Sequence, residues 1–360
     1  MKIAIDLTPV EKSPAGIGQY TINLVSKLIE IDSTNEYFIY TTTPRLINNS
    51  ENIVIKKPKG IASGLRWIME ASNDMKGRKI DYLISPSNHI FTRFFPRTIQ
   101  FIHDLAPIKF SEFFPRTASI KYKYTSKIAL KRAAQIVTIS DTIKQELIEY
   151  YPKITADKIA VIRPALNKWI NSDPSNEKEV LEKYELPGEY LMTLSTLEPR
   201  KNIVNLILGF AEYKKSSGSI ARLVVVGKKG WFFSEIFETV KNLGLEEEIM
   251  FLGYVPDEEL SAIYKNARGF AYLSYYEGFG MPPLEALYFN VPTLLSDIPV
   301  FRENFSGLVE FTEYEDPAMI ANGIEKILSQ RNFDVRDSVV ENFNWTKSAQ
   351  QLLDIINERS

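Results

Sequence analysis

Short apolar runs punctuate the first half of the chain at a regular rhythm. Lys2-Ile3-Ala4-Ile5-Asp6-Leu7 opens it, and residues 37–40, 53–55, 82–84, 99–102, 136–139 and 159–162 repeat it. Runs this short and this continuously apolar predict strands buried on both faces. Between them the period lengthens. Ile22, Leu24, Val25, Leu28 and Ile29 mark an amphipathic helix, and residues 119–134 and 141–150 mark two more. Strands alternating with helices are βαβ units, which predict an open, doubly wound parallel sheet ending near Pro164. A polar, proline-containing stretch at 167–176 and a helix at 177–184 follow, and then the rhythm restarts. Strands are expected at 190–194, 223–226, 249–252, 270–273 and 292–295, with helices at 203–215, 232–243, 257–266 and 283–289. Residues 345–360 read as a terminal amphipathic helix. The fold class is therefore α/β, with one domain over 1–165, a second over 166–344, and a ligand cleft expected where the carboxyl ends of the two sheets face each other.

Composition narrows the chemistry. With 44% hydrophobic and 24% charged residues in 360, the chain has globular proportions and is long enough for two cores. It contains no cysteine, which excludes disulfide scaffolds, zinc ribbons and thiol catalysis, and only two histidines, His89 and His103, which exclude a histidine-rich metal cluster. No apolar run approaches the ~20 residues that cross a bilayer, and the acid at Asp6 comes too soon for a signal peptide, so a cytoplasmic protein is expected. The net charge of -2 conceals a division. Residues 1–165 carry 24 Lys and Arg against 15 Asp and Glu, a balance of +9, while residues 166–360 carry 19 against 30, a balance of -11. Most of the excess lies between Lys56 and Arg132, interleaved with Phe91, Phe94, Phe95, Phe101, Phe110, Phe113 and Phe114. Exposed aromatics among cations suit an anionic membrane surface or a nucleic acid; a solvated basic face over core phenylalanines is the plainer alternative.

Four segments carry candidate chemistry. Glu277-Gly278-Phe279-Gly280-Met281-Pro282-Pro283-Leu284-Glu285 follows a predicted strand. Its glycines let backbone approach a ligand, Pro282-Pro283 suit a first helical turn, and the helix start offers amides to a phosphate or diphosphate. Glu285, expected in that first turn, can accept hydrogen bonds from sugar hydroxyls. Glu198-Pro199-Arg200-Lys201-Asn202 places two cations where a helix begins, an arrangement the helix dipole disfavours unless an anion binds there; Arg200 and Lys201 are candidates for neutralising a diphosphate leaving group. The loop 13–18 holds Gly16 and Gly18, but Thr21 stands where a dinucleotide fingerprint has its third glycine, so NAD binding loses ground. His103-Asp104 ends a strand near the expected cleft, either as a functional histidine or as a packed one. No Asp-x-Asp, Walker A loop or Gly-x-Ser-x-Gly elbow occurs. No metal and no cofactor are expected.

These residues resemble the retaining GT-B glycosyltransferases of family 4, which transfer sugars from nucleotide donors. The Glu277-x7-Glu285 signature and Thr196–Asn202, TLEPRKN, carry the likeness, with support from Gly16–Gly18, His103-Asp104 and Val161–Asn167. The resemblance implies two Rossmann-like domains facing across a cleft, the terminal helix crossing back onto the first. It implies that Glu277 contacts donor-sugar hydroxyls, Glu285 the ribose, and Arg200 and Lys201 the diphosphate. His103 would lie near the donor sugar, Gly16 and Gly18 near phosphate and acceptor, and Gly253-Tyr254 beside the base, with Phe279, Gly280 and Met281 presenting backbone amides. The wording is similar to bacterial mannosyltransferases of surface-polysaccharide, O-antigen or capsule pathways, which implies GDP-mannose as donor, a lipid-linked glycan acceptor and a place on the anionic inner face of the membrane, without nucleic acid. One departure stands out: Ser195-Thr196 occupy the place where many relatives have Gly-Arg. UDP-, other GDP- or dTDP-sugar donors and a nucleotide-sugar epimerase of the same architecture remain alternatives.

Overall fold

The computed structural model describes residues 1–8, 10, 16–41, 53–56, 64–87, 89–171 and 177–358. The chain divides into two compact units, residues 1–167 with 343–360, and residues 168–342.

In the first unit the described residues form seven strands: β1 Lys2–Asp6, β2 Glu36–Tyr40, β3 Ile53–Lys56, β4 Tyr82–Ser85, β5 Thr98–Phe101, β6 Gln135–Thr138 and β7 Ile159–Val161. They lie in the order β3-β2-β1-β4-β5-β6-β7, every pair parallel. The second unit has β8 Tyr190–Leu194, β9 Arg222–Val226, β10 Ile249–Gly253, β11 Gly269–Tyr272, β12 Thr293–Ser296 and β13 Glu310–Thr312, in the order β10-β9-β8-β11-β12-β13, again all parallel. Both are doubly wound sheets whose strand order reverses once, between β1 and β4 and between β8 and β11. A parallel sheet carries helices on both faces, so its strands must be apolar on both. β6 and β12 are buried at every position.

The apolar rhythm located most strands to within one or two residues. It did not reveal β13, nor the helices Leu65–Gly77, Pro299–Phe305, Pro317–Ser329 and Arg336–Asn342. Leu65–Gly77 buries Trp67, Ile68, Ala71, Ser72 and Met75 at helical spacing, but Leu65 and Met69 point outward and blur the pattern. Pro317–Ser329 did have a readable start: Asp316 caps it, its carboxylate accepting from the Ala318 amide at 2.8 Å, with Pro317 at the first helical position.

The closing helix Trp345–Asn357 packs on Ile17–Ile31 of the first unit. The Trp345 indole donates to the Leu166 carbonyl at 2.7 Å and the Ser348 hydroxyl to that of Arg163 at 2.7 Å. In the basic stretch the aromatics are not outward. Phe91, Phe95 and Phe101 are buried, the first two in a core with Trp67 and Ile68, and the other four phenylalanines are half-buried. The exposed large apolar groups of that stretch are Leu65 and Met69 on the helix Leu65–Gly77 and, more exposed still, Ile120 (61%) and Tyr124 (59%) on the helix Arg116–Arg132.

Candidate active site

β8 and β11 are neighbours at the point where the second sheet's order reverses, which is where doubly wound sheets bind ligands. The segments leaving their carboxyl ends bring together Glu198, Arg200 and Lys201 from one strand and Glu277 from the other. Lys201 Nζ donates to Glu277 Oε1 at 2.6 Å and to the Tyr272 hydroxyl at 2.8 Å, and that hydroxyl donates to Glu277 Oε1 at 3.0 Å. Arg200 donates through Nη2 and Nε to Glu198 Oε1 at 2.8 and 3.1 Å, and through Nη1 to the Tyr276 carbonyl at 2.8 Å; Nη1 also lies 3.2 Å from Glu277 Oε2. These side chains are nearly closed off: Arg200 is 13% exposed, Lys201 and Glu277 11%, and Glu198 4%.

Two carboxylates therefore face two cations in a nearly dry setting. Burial works to raise the Glu277 pKa, but Lys201 and Arg200 outweigh it and hold the carboxyl at about 2. Burial pushes the Lys201 ammonium below its ordinary range, with Arg200 adding to the fall and Glu277 opposing it. Contrary to what their place in the sequence predicts, these two cations do not sit at the start of a long helix. Arg200 and Lys201 occupy a single 3-10 turn, Pro199–Lys201, and Asn202 at φ 55° separates them from the helix Ile203–Ser217. Their compensating anions are Glu198 and Glu277.

The helix after Glu277 also differs from expectation. Gly280, at φ 115°, ends the loop, and the helix Met281–Tyr288 begins two residues before Pro283, so Glu285 falls in its second turn and the first turn holds no acid. A Cβ on Gly280 would stand 2.9 Å from the Phe301 ring. The Glu285 carboxylate is buried and accepts from the Tyr264 hydroxyl at 3.0 Å; the Tyr264 ring forms a mutually contacting triad with Trp169 and Phe289, at 6.3 and 5.7 Å, those two being 6.5 Å apart. Phe279 is buried against Phe305, and Met281 opens the helix. Gly253 ends β10 at φ 68°, followed by Tyr254, which is 48% exposed with Lys228 Nζ 4.3 Å from its ring centre.

Sequence reasoning gave no role to Glu198, Tyr272, Tyr264 or Gly227. Gly227 follows β9 at φ 141°, and a Cβ there would meet the Ser195 carbonyl oxygen at 1.8 Å. Glycine is what lets the chain lie against Ser195, where the Ser195 amide donates to the Val226 carbonyl at 2.9 Å. A glycine directly after a strand, opposite the phosphate-loop candidate, was the available signal.

In the first unit, His103 is buried and its Nε2 lies 2.7 Å from the Pro86 carbonyl. A carbonyl only accepts, so Nε2 carries the hydrogen and Nδ1 the lone pair. Burial lowers the His103 pKa against the opposite pulls of Pro86 and Asp104, leaving the ring neutral near pH 7. Asp104 does not orient that ring by a hydrogen bond; its Oδ1 accepts from the Ala106 amide at 3.0 Å. Gly16 caps the helix Ile17–Ile31 at φ 50°, and Gly18 is buried within its first turn. Ser13, Pro14 and Ala15 of the expected loop lie outside the described residues. Among the described residues no three His, Asp or Glu side chains gather into a set able to hold a metal ion.

Two family models match the chain in succession, glycosyltransferase family 4 over residues 14–168 and glycosyl transferases group 1 over residues 176–344. An O-antigen chain mannosyltransferase B of Escherichia coli is 28% identical over 321 residues, covering 84% of each chain. O-antigen chain mannosyltransferase RfbU of Salmonella typhimurium strain LT2 is 26% identical over 337 residues, covering 90% of each. Among solved structures, a sucrose-phosphate synthase from Thermosynechococcus elongatus superposes with a TM-score of 0.80 at 17% identity, covering 99% of this chain and 98% of that one.

Proposed function

This chain belongs to the GT-B glycosyltransferases of family 4, and from that premise we propose that it transfers mannose, with retention, from GDP-mannose to a lipid-linked glycan. Enzymes of this class take a nucleotide-sugar donor and a glycan acceptor. The observation that carries the site reading is the buried Glu198–Arg200–Glu277–Lys201 cluster at the β8/β11 reversal, beside the start of the helix Met281–Tyr288. Likeness to two O-antigen chain mannosyltransferases supports the choice of mannose.

In this reading the donor diphosphate lies toward Lys201 and the backbone amides of Phe279, Gly280 and Met281, which stabilise the charge that grows as the bond to the sugar breaks. Glu277 accepts from sugar hydroxyls and Glu285 from the ribose, while Tyr254 and Gly253 border the base. His103, neutral, accepts a hydroxyl hydrogen at Nδ1. Gly16 and Gly18, in the first unit, are assigned to the acceptor. The acceptor hydroxyl attacks the anomeric carbon from the face the diphosphate leaves; the new glycosidic bond forms as the old C–O bond breaks, and the hydroxyl proton passes to the departing phosphate. No metal is assigned a role, the positive charge coming from Lys201 and amide dipoles. The basic helix Arg116–Arg132 would place the first unit on anionic lipid, where a lipid-linked acceptor resides.

A thermal-shift panel of GDP-, UDP-, ADP- and dTDP-sugars tests the donor, because a ligand that binds only the folded state raises the melting temperature by mass action. GDP-mannose is expected to give the largest shift and, with acceptor and EDTA present, product. Wild-type turnover in Lys201→Met or Glu285→Ala would overturn the site assignment.

A further inference from the structure

Arg200 and Lys201 are adjacent in sequence, yet the structure uses them differently. All three guanidinium nitrogens of Arg200 are committed: Nε and Nη2 to Glu198 Oε1, and Nη1 to the Tyr276 carbonyl and Glu277 Oε2. Its backbone carbonyl accepts from the Tyr275 amide at 3.0 Å, so main chain and side chain both tie the turn after β8 to the loop after β11. To reach a phosphate, Arg200 would have to leave Glu198, whose side chain is 4% exposed, stranding a buried carboxylate. Lys201 has no such anchor. Its ammonium makes two hydrogen bonds, and its third hydrogen has no acceptor among the described residues. A single ammonium on a flexible stem can also pivot where a planar fork held at several points cannot.

We propose that Arg200 is a positioning residue and not a phosphate ligand: anchored on Glu198, it locks the loop 275–277 to the β8 side, and Lys201 alone turns to the donor diphosphate. This rests on the reading of the cluster as the donor site. It gives the site a defined change on loading. Two carboxylates balance two cations, and an arriving diphosphate draws Lys201 off Glu277 Oε1. That oxygen becomes available to sugar hydroxyls, while Arg200 keeps hold of Oε2, so the carboxylate stays aimed after its lysine partner has left. Glu198 has a role only through Arg200.

The test uses the full chain, calorimetric titration with GDP, UDP, ADP and dTDP to select the nucleotide that binds, and transfer kinetics. Lys201→Met is expected to weaken the bound diphosphate by about tenfold or more, the loss of a charge-assisted contact. Glu198→Gln and Arg200→Met are each expected to hold that affinity within about threefold yet lower kcat about a hundredfold, the signature of misplacement and not of lost binding. Because the two residues act as one unit, the double variant is expected to be no worse than the poorer single. Arg200→Lys restores the charge but not the fork and is expected to leave kcat low. The proposal is overturned if Arg200→Met loses diphosphate affinity as Lys201→Met does while Glu198→Gln keeps it, or if Arg200→Lys recovers kcat. Should Arg200→Met fail to fold by circular dichroism, Glu198→Gln and Arg200→Lys decide the question by the same criteria. If instead Lys201→Met binds every nucleotide as wild type does, the donor-site reading itself fails, and the lock fails with it.

Discussion

At the scale of single residues, the cluster makes its own pH dependence. The Glu277 pKa of about 2 lies below the ~4.3 of an unfolded glutamate, so its contribution to stability is complete above about pH 4.3 and is lost as pH falls toward 2. Glu277→Gln should remove that acid limb and, by leaving buried cations short of a partner, lower stability by about 3–5 kcal/mol in denaturant titrations. It should also move the alkaline limb of transfer to lower pH, because Glu277 is what opposes the depression of the Lys201 pKa. His89 acts in a separate window. Burial, with the nearby His103 adding to it, brings His89 to about 4, so its neutral form stabilises the fold above pH 6.5 and that contribution is lost as pH falls from 6.5 through 4, by about 3 kcal/mol at the limit. His89→Phe, keeping the edge contact with Tyr122, should flatten thermal stability between pH 6.5 and 4; an unchanged slope would assign it elsewhere. Sequence showed Arg200, Lys201 and Glu277 as residues worth naming. It could not show that they pair, since 76 residues separate Glu277 from Lys201 and nothing local joins them.

At the scale of elements, periodicity was legible because parallel strands are buried on both faces, and the β8 and β11 segments are apolar enough to announce themselves. The positions that decide the site are the turns after those strands, and they depend on backbone angles that periodicity does not carry. Pro282-Pro283 marked a helix start, but the start moved to Met281 because Gly280 can hold φ 115°. Gly227 and Gly253 separate two demands. Both have positive φ, but a Cβ on Gly253 meets nothing within 4 Å, whereas one on Gly227 meets the Ser195 carbonyl at 1.8 Å. Gly253→Ala should therefore lose about 1 kcal/mol through backbone strain alone, and Gly227→Ala distinctly more, with the loop before Glu198 displaced. Melting curves of the two variants check the order, and equal losses would show that the loop yields without resistance.

For the whole molecule, the opposed charges of the two halves coincide with the two compact units, since residues 343–360 carry two charges of each sign and leave the first unit at +9. Within it, the helix Arg116–Arg132 exposes Arg116, Lys121, Lys123, Lys127, Lys131 and Arg132 with no acid among them. Ile120 and Tyr124, four residues apart, stand side by side on its outer surface. The membrane contact therefore rests not on the phenylalanines, three of them buried and four half-buried, but on two apolar groups among cations. At ~1 kcal/mol per cation near an anionic leaflet, six supply enough for reversible attachment and too little for permanent anchoring. Among the described residues no helix is long and apolar enough to cross a membrane. The full chain should co-sediment with phosphatidylglycerol vesicles, not with phosphatidylcholine, and should be released as salt rises and the Debye length falls to about 3 Å near 1 M. Lys123, Lys127 and Lys131 changed together to Glu should abolish sedimentation, whereas Ile120→Asp should weaken it with the salt response intact. Both variants should transfer normally to a water-soluble acceptor analogue, because the altered groups lie outside the proposed donor site. Sedimentation indifferent to lipid charge and to salt would leave the positive unit without a membrane role and its helix a solvated face.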